Sequence, residues 1–327
     1  MKVQGCDCSI VIKTTHHEFE IQAANGGGVQ SNSLHSPTVG RHVPYSEETI
    51  REEVSLLQEE ASIEGDGVCR GLRKSCGVTG CVVTPLTIGT APLLLYLAMG
   101  SAGVSVFVSE TRDLYKCQLH LLPLEDADQF DLIQDRQIKN AELTMNNERR
   151  LFEGCKVKSF ELRIIRGEAV KLKLDITSER PAVTYPYVDM SQSQTSEMSG
   201  TVIGNERFNG DGVAYQINGK EYTNIYGVTL SSKKEGCTKT ELWIKRALDT
   251  GSDIPHIIDE MIITAQLLRD TYEYRQYGTF RIILKKLVLI SDETNVNSSD
   301  TVIGLLRYYV AGNISTDVFT SNEGGIA

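Results

Sequence analysis

The strongest alternation of apolar and polar positions lies between residues 151 and 177, LFEGCKVKSFELRIIRGEAVKLKLDIT. Phe160, Leu162 and Ile164 alternate with Glu161 and Arg163. After a short break, Val170, Leu172, Leu174 and Ile176 alternate with Lys171, Lys173 and Asp175. A period of two puts one set on a buried face and the other in solvent, as two paired strands require. Arg166-Gly167-Glu168 places a glycine where the chain must reverse, within the loop length of a hairpin. The stretch therefore predicts a long ribbon with one apolar and one charged face, and it carries no catalytic constellation.

Similar runs recur along the chain. One covers residues 9–21, and the Gly-, Ser- and Asn-rich stretch AANGGGVQSNSLHSPTVG after it predicts an arm followed by a flexible linker. Residues 46–61 (SEETIREEVSLLQEEA) read as a helix, with Ile50, Val54, Leu57 and Ala61 on one stripe. Ser46 would cap it, and Glu47 and Glu48 would suit its positive end. A strand over 77–86 is expected next, then a short apolar helix over 93–99, opened by Pro92 and stopped by Gly100. Strands are expected over 104–108, 114–122 and 138–144. Glu125, Asp126, Asp128, Asp131 and Asp135 read as a solvated loop, since no calcium-loop spacing follows Asp126-x-Asp128.

Residues 181–200 (PAVTYPYVDMSQSQTSEMSG) have the composition of an exposed connection. Strand patterning resumes over 213–217 and 222–230, with Asn218-Gly219 between the runs as a hairpin signal. Another strand, over 240–245, holds the single tryptophan, Trp243. Residues 252–268 read as a helix followed by a strand. Residues 279–291 and 301–311 then form a second ribbon around a polar loop. The second half thus repeats the parts of the first, including a short helix, which raises the suspicion of duplication.

Composition narrows the function. The 327 residues suffice for two cores, and 40% hydrophobic with 23% charged residues is ordinary for a globular protein. A net charge of −10, with no block of lysines or arginines, disfavours phosphate-neutralising nucleic-acid binding. No apolar run approaches the roughly 20 residues that span a bilayer, and the first residues, MKVQGCDCSIVIK, lack the hydrophobic core of a secretion signal. The eight cysteines are then expected as reduced thiols. Their spacing, with His16 and His17 nearby in sequence, does not form a paired zinc motif, so no metal or cofactor is expected.

The segment GVTGCVVTPLTIGTAPLLLYLAMG (residues 77–100), followed by LFEGCKVKSFELRII (151–165), resembles the tail tube proteins of long-tailed bacteriophages. The resemblance is firmest over residues 45–180, and residues 200–325 resemble a second copy. It implies a mainly β chain with short helices. Tandem tail-tube-like β-sandwich or half-barrel domains would have hairpins that complete a ring β-barrel. The expected division is an N-terminal arm and linker (1–40), tube domain 1 (41–186), a linker (187–200) and tube domain 2 (201–327).

The implied function is a structural virion protein, a tail tube subunit that self-assembles in the host cytoplasm and resides in the virion tail. Its main partner would be itself, as trimeric rings of duplicated subunits with pseudo-sixfold symmetry or as hexamers. Further partners would be the tail terminator, tape measure and baseplate or tip proteins, and a sheath where the tail contracts. DNA would pass through the lumen without specific binding, helped if that lumen is acidic. The ring contacts implied are the two ribbons: Phe160, Glu161, Leu162, Arg163, Ile164, Val170, Lys171, Leu172, Lys173 and Leu174 in the first. In the second they are Phe280, Ile282, Leu284, Leu306, Tyr308 and Val310. Open hairpin edges would be completed by strands of neighbouring subunits.

Other readings are an inner tube of a phage-derived contractile injection particle, a gene transfer agent, and a monomeric β-sandwich binding module. Tyr272, Tyr274 and Tyr277 could give that module an aromatic platform. A thiol hydrolase would need Cys155 or Cys117 as nucleophile and His120 or His256 as base, but nothing selects such a pair. There is no GxSxG, HExxH, GxGxxG or phosphate-loop motif, and an enzyme is not expected.

Overall fold

The computed structural model describes residues 9–14, 21–23, 41–57, 72–87, 90–99, 103–108, 114–121, 129–139, 145–186, 207–235, 237–248, 253–270, 275–296 and 302–321. In chain order the strands begin with β1 (Ser9–Thr14), β2 (Ile21–Ala23), β3 (Arg41–Val43), β4 (Glu47–Glu48), β5 (Arg51–Leu57) and β6 (Leu72–Pro85). Helix α1 (Ala91–Met99) precedes β7 (Gly103–Val108), β8 (Leu114–Leu121), β9 (Phe130–Lys139), β10 (Met145–Ile165), β11 (Lys171–Ser178) and β12 (Val183–Pro186). Then come β13 (Ala214–Ile217), β14 (Lys220–Glu221), β15 (Ile225–Glu235), β16 (Cys237–Ala247), β17 (Ile257–Asp270), β18 (Arg275–Val296), β19 (Val302–Val310) and β20 (Ile314–Ser321). The chain is mainly β, and every described pair of strands is antiparallel except β2–β7.

One ladder runs through most of the molecule in the order β5–β6–β11–β10–β15–β16–β19–β18–β17–β13–β14. The two longest strands leave it at one end. The first part of β10 pairs β9 and β12, and β9 continues to β1 and β3. The first part of β18 pairs β17 and β20, and β20 continues through β8 to β7. No described pair joins the ends of the ladder, so it is an open sheet and not a closed barrel.

The central ribbon forms as its alternation predicts. Phe160 faces Leu174 and Leu162 faces Leu172 across β10 and β11, and all four are buried. Gly167 turns the chain with φ +82°. The Asn218-Gly219 turn also forms, with both residues at positive φ, and Asn218 Oδ1 accepts the N–H groups of Asp259 and Glu260. The apolar faces meet in one core that draws on both halves of the chain. Helix α1 lies in that core against β8 and β10; its described side chains are all buried, which is why its sequence is apolar all round. Thr87 holds its first turn, accepting the Thr90 N–H at Oγ1 and the Ala91 N–H at its carbonyl.

Several expectations fail. Residues 46–61 are not a helix where described: 47–48 and 51–57 are strands on the edge of β6, and Ser46 bonds the Val83 carbonyl instead of capping. Local helix preference gives way to a ladder with a distant strand. Residues 257–268 are strand, not helix. Lys286 at φ +54° breaks the pairing opposite Asp259, so the buried positions fall at Ile258, Met261, Ile263 and Ala265. Spacing of three and then four between 258, 261 and 265 imitates a helical stripe. Among the described residues α1 is the only α-helix, so the second half does not repeat it.

Asp131 and Asp135 sit within β9 and not in a loop, and the strand expected over 138–144 begins earlier, at Phe130. Residues 125–128 lie outside the described residues. The connection 181–200 starts as a strand, since β12 pairs β10, and residues 187–200 lie outside the described residues. The run over 9–21 appears as β1 and the start of β2, while the glycine-rich stretch after it is not among the described residues. Apart from residues 291–296 of β18, the hairpin edges are not open either among the described residues. β10 and β11 are flanked by β15 and β6, and β19 is held between β16 and β18, all within the chain.

Candidate assembly surface

Because successive strand residues point to opposite faces, the residues between the core positions of the ladder share its other face. Three cross-strand rows define it. Lys173, Glu161, Ser231, Glu241 and Tyr309 stand directly opposite one another along β11, β10, β15, β16 and β19. Beside them run Lys171, Arg163, Thr229, Trp243 and Arg307, and on the other flank Asp175, Ser159, Lys233 and Lys239. The first and last rows enclose a groove of ≈ 460 Å³ lined by Ser159, Glu161, Lys173 and Glu241 among others.

Charges on this face are largely cross-linked. Arg307 donates two hydrogen bonds to Glu241, at 2.7 and 2.9 Å, and its guanidinium lies 4.9 Å from the centre of the Trp243 ring. Such a bidentate, stacked arginine is held more firmly than an ordinary surface pair. Glu161 pairs with Arg163, Asp175 accepts from Ser159, and Lys173 lies 3.6 Å from Asp175. Arg163, Lys171, Lys173, Lys233, Lys239 and Arg307 stand beside Glu161, Asp175 and Glu241, so the face is mixed in sign with a cationic surplus. Near β17–β19 the character changes: Ile257, Val288 and Tyr309 are opposite neighbours on adjacent strands and all exposed, and Ile290 is exposed beside them.

The sixteen residues expected at ring contacts divide cleanly. Phe160, Leu162, Ile164, Val170, Leu172, Leu174, Phe280, Ile282, Leu284, Leu306, Tyr308 and Val310 are buried in the chain's own core. Glu161, Arg163, Lys171 and Lys173 are on the charged face. Sequence reading did not single out Trp243, Glu241 and Arg307 as surface residues; their available signals were the alternation of 240–245 for the first two and of 301–311 for Arg307.

The two halves also share a strand register. On β10, Val157 pairs Ile176 and Ser159 pairs Asp175, with an extra residue between them; on β18, Leu289 pairs Tyr308 and Ser291 pairs Arg307, again with an extra residue. Each residue of the second set lies 132 positions after its counterpart in the first. The same interval relates Glu148–Pro186 to Phe280–Val318 on the opposite flank, and Gly154 (φ +61°) to Lys286 (φ +54°). Two four-strand units, β5–β6–β11–β10 and β15–β16–β19–β18, thus have one topology. They are joined edge to edge where residues 159–165 of β10 pair residues 227–233 of β15.

Chemically reactive groups do not converge on the described surface. Cys155 is buried, donates to the Phe152 carbonyl at 3.4 Å, and has its thiol pushed up to about 12 by burial, with the nearby Asp131 charge acting the same way. A neutral, enclosed thiol is a poor nucleophile. Cys117 and His120 lie on β8 and His256 just before β17. No cluster of three or more His, Cys, Asp or Glu that could hold a metal occurs among the described residues. Tyr277 lies near the start of β18 opposite Leu268, while Tyr272 and Tyr274 are outside the described residues. No helix among the described residues is long and apolar enough to cross a membrane.

No protein-family model matches the sequence, and no curated protein matches it either.

Proposed function

We propose that the chain is a structural virion protein: a tail tube subunit of two tandem tube-like units that self-assembles into stacked rings enclosing a conduit for DNA. The observation that carries this reading is the internal junction β10–β15. Two units of one register are already joined there edge to edge, as successive subunits of a ring would be. Three chains would then supply six similar positions. The charged face of the ladder lines the lumen, where ion pairs with neighbouring carboxylates hold several of its cations back from DNA phosphates. The terminator, tape measure and baseplate or tip proteins would meet the ends of such a tube.

Negative-stain electron microscopy of the purified chain at rising concentration, with its mass in solution, tests the reading. Rings or hollow filaments with threefold or sixfold end views are expected. A monomer at every concentration overturns self-assembly and favours a binding module.

A further inference from the structure

The internal junction also says which edges meet between copies. Besides the two-residue β14 at its far end, the ladder has two longer edges that lack a strand partner among the described residues. On β18, pairing with β17 ends at Val288, and the last bond on that flank is from the Leu289 N–H to the His256 carbonyl at 2.8 Å. Residues 291–296 are therefore paired by β19 alone. At the other end of the ladder, β4 and β5 are paired by β6 alone.

These are the edges that the repeat places in correspondence with the junction. Residues 159–165 of β10, which hold β15, have their counterparts from Ser291 onward on β18. The strand that β10 holds corresponds in turn to β4 and β5. Gly227 is opposite Lys245, which is opposite Leu305; Glu47 is opposite Val83, which is opposite Lys173, the counterpart of Leu305. Resting on the ring reading above, we propose that residues 291–296 of β18 pair antiparallel with residues 48–53 of a second copy of this chain, in the register that puts Glu293 opposite Arg51.

That register copies the junction inside the chain, where Glu161 stands opposite Ser231. Glu293 and Arg51 are both exposed, and as opposite charges directly across an antiparallel pair they favour this partner. One step inward Asp292 would face Glu52; Arg246, 3.6 Å from Asp292, supplies the compensating charge. The edge is guarded in the free chain. The Ile50 N–H is held by its own Glu48 carboxylate at 2.6 Å, and the Glu52 carboxylate accepts the Ala182 N–H at 2.9 Å. Guarded edges keep a chain monomeric until a matching strand arrives. Because the two edges differ, the contact is head-to-tail and generates rings if its rotation closes.

Two sets of variants test this. Glu293→Arg should raise the concentration needed for assembly roughly fivefold per interface, and Arg51→Glu should do the same. The double variant should recover assembly in full, and an equal mixture of the two single variants only in part, since alternating copies pair well but a ring of three keeps one like-charged contact. Separately, the Arg51→Cys, Glu293→Cys chain should form covalent ladders on oxidation, with 51–293 as the linked pair in peptide mass spectra, while each single-cysteine variant should not. Assembled particles that lack this link, link 293 to 293, or ignore the charge reversals overturn the edge pairing and leave the tube reading standing. A chain that stays monomeric throughout overturns both.

Discussion

β10 and β18 are the longest strands, at 21 and 22 residues, and they do the same job in the two halves of the chain. Each starts in one sheet, turns at a residue of positive φ, takes an extra residue four positions later, and continues into the common ladder. They differ in what lies on the far flank: β10 is covered by β15, whereas residues 291–296 of β18 are covered by nothing described. Equal construction with unequal occupancy separates what the fold needs from what is left for a partner. The bend and the extra residue belong to the fold, since both halves have them. The bare flank does not.

The largest effect should come from the core face that both ribbons share. Leu174 and Leu306 are counterparts, each about 1% exposed, on β11 and β19. Leu174→Asp and Leu306→Asp each bury a carboxylate without a partner and should cost several kcal/mol, abolishing cooperative unfolding. Lys173→Gln, one residue away on the charged face and losing only an exposed ion pair with Asp175, should change stability by about 0.5 kcal/mol or less. Thermal unfolding followed by circular dichroism separates the cases. A cooperative, near-native Leu306→Asp chain would break the equivalence of the ribbons.

This face was legible from sequence because alternation reports burial directly. Phe160, Leu162, Leu172 and Leu174 are where the pattern puts them, and so is the Asn218-Gly219 turn, whose geometry follows from local residue type. The misreadings have non-local causes. Residues 47–57 carry a helical stripe, yet the partner that decides their state, β6, is determined by a ladder that local spacing cannot register. Residues 258–265 look helical because an irregular pairing opposite Lys286 shifts the burial rhythm. The repeat is hidden for a related reason: it is conserved as register and bend positions, while the residues filling them, such as Cys155 and Leu287, differ in chemistry. Of the candidate surface, the charged positions could be read but not their partners. The Arg307–Glu241–Trp243 group joins two strands more than sixty residues apart in sequence.

Those chemical differences give the next effect. Cys155 is titratable where its counterpart Leu287 is not, and Tyr308 is titratable where its counterpart Ile176 is not. Burial pushes Cys155, Tyr215 and Tyr308 up to about 12, from ordinary values of 9.0 for the thiol and 10.0 for the phenols. These groups are neutral in the folded chain while the unfolded chain loses protons first, so unfolding is favoured as pH rises. Stability should therefore be level in these groups below pH 9 and fall between pH 9 and 12. The slope is about 1.4 kcal/mol per pH unit for each group in its window. Cys155→Val should delay the onset to about pH 10, where the tyrosines begin. Denaturant titrations across pH 8–11 measure it, and an unchanged onset would show that the Cys155 site is less enclosed than its surroundings indicate.

The smallest effect concerns the bends themselves. At φ +61° Gly154 adopts the left-handed region freely, whereas Lys286 holds φ +54° with a side chain that disfavours it. A Cβ on Gly154 would meet nothing closer than Gln129 Oε1 at 3.5 Å, so space is not the obstacle and only the backbone conformation is. Gly154→Ala should then cost about 1 kcal/mol. Lys286→Gly relieves the same strain, but its gain is offset by the greater freedom of glycine in the unfolded chain, leaving a net change within about 0.5 kcal/mol. Lys286 is exposed, so the lost side chain adds little. Urea denaturation resolves the two, since a midpoint shift at constant slope reports stability alone. Equal losses at both positions would mean that the Lys286 side chain has a role in β18 that Gly154 does not need in β10. A loss at Gly154 alone identifies the bend as one backbone device, filled by the favoured residue in the first half and tolerated with a disfavoured one in the second.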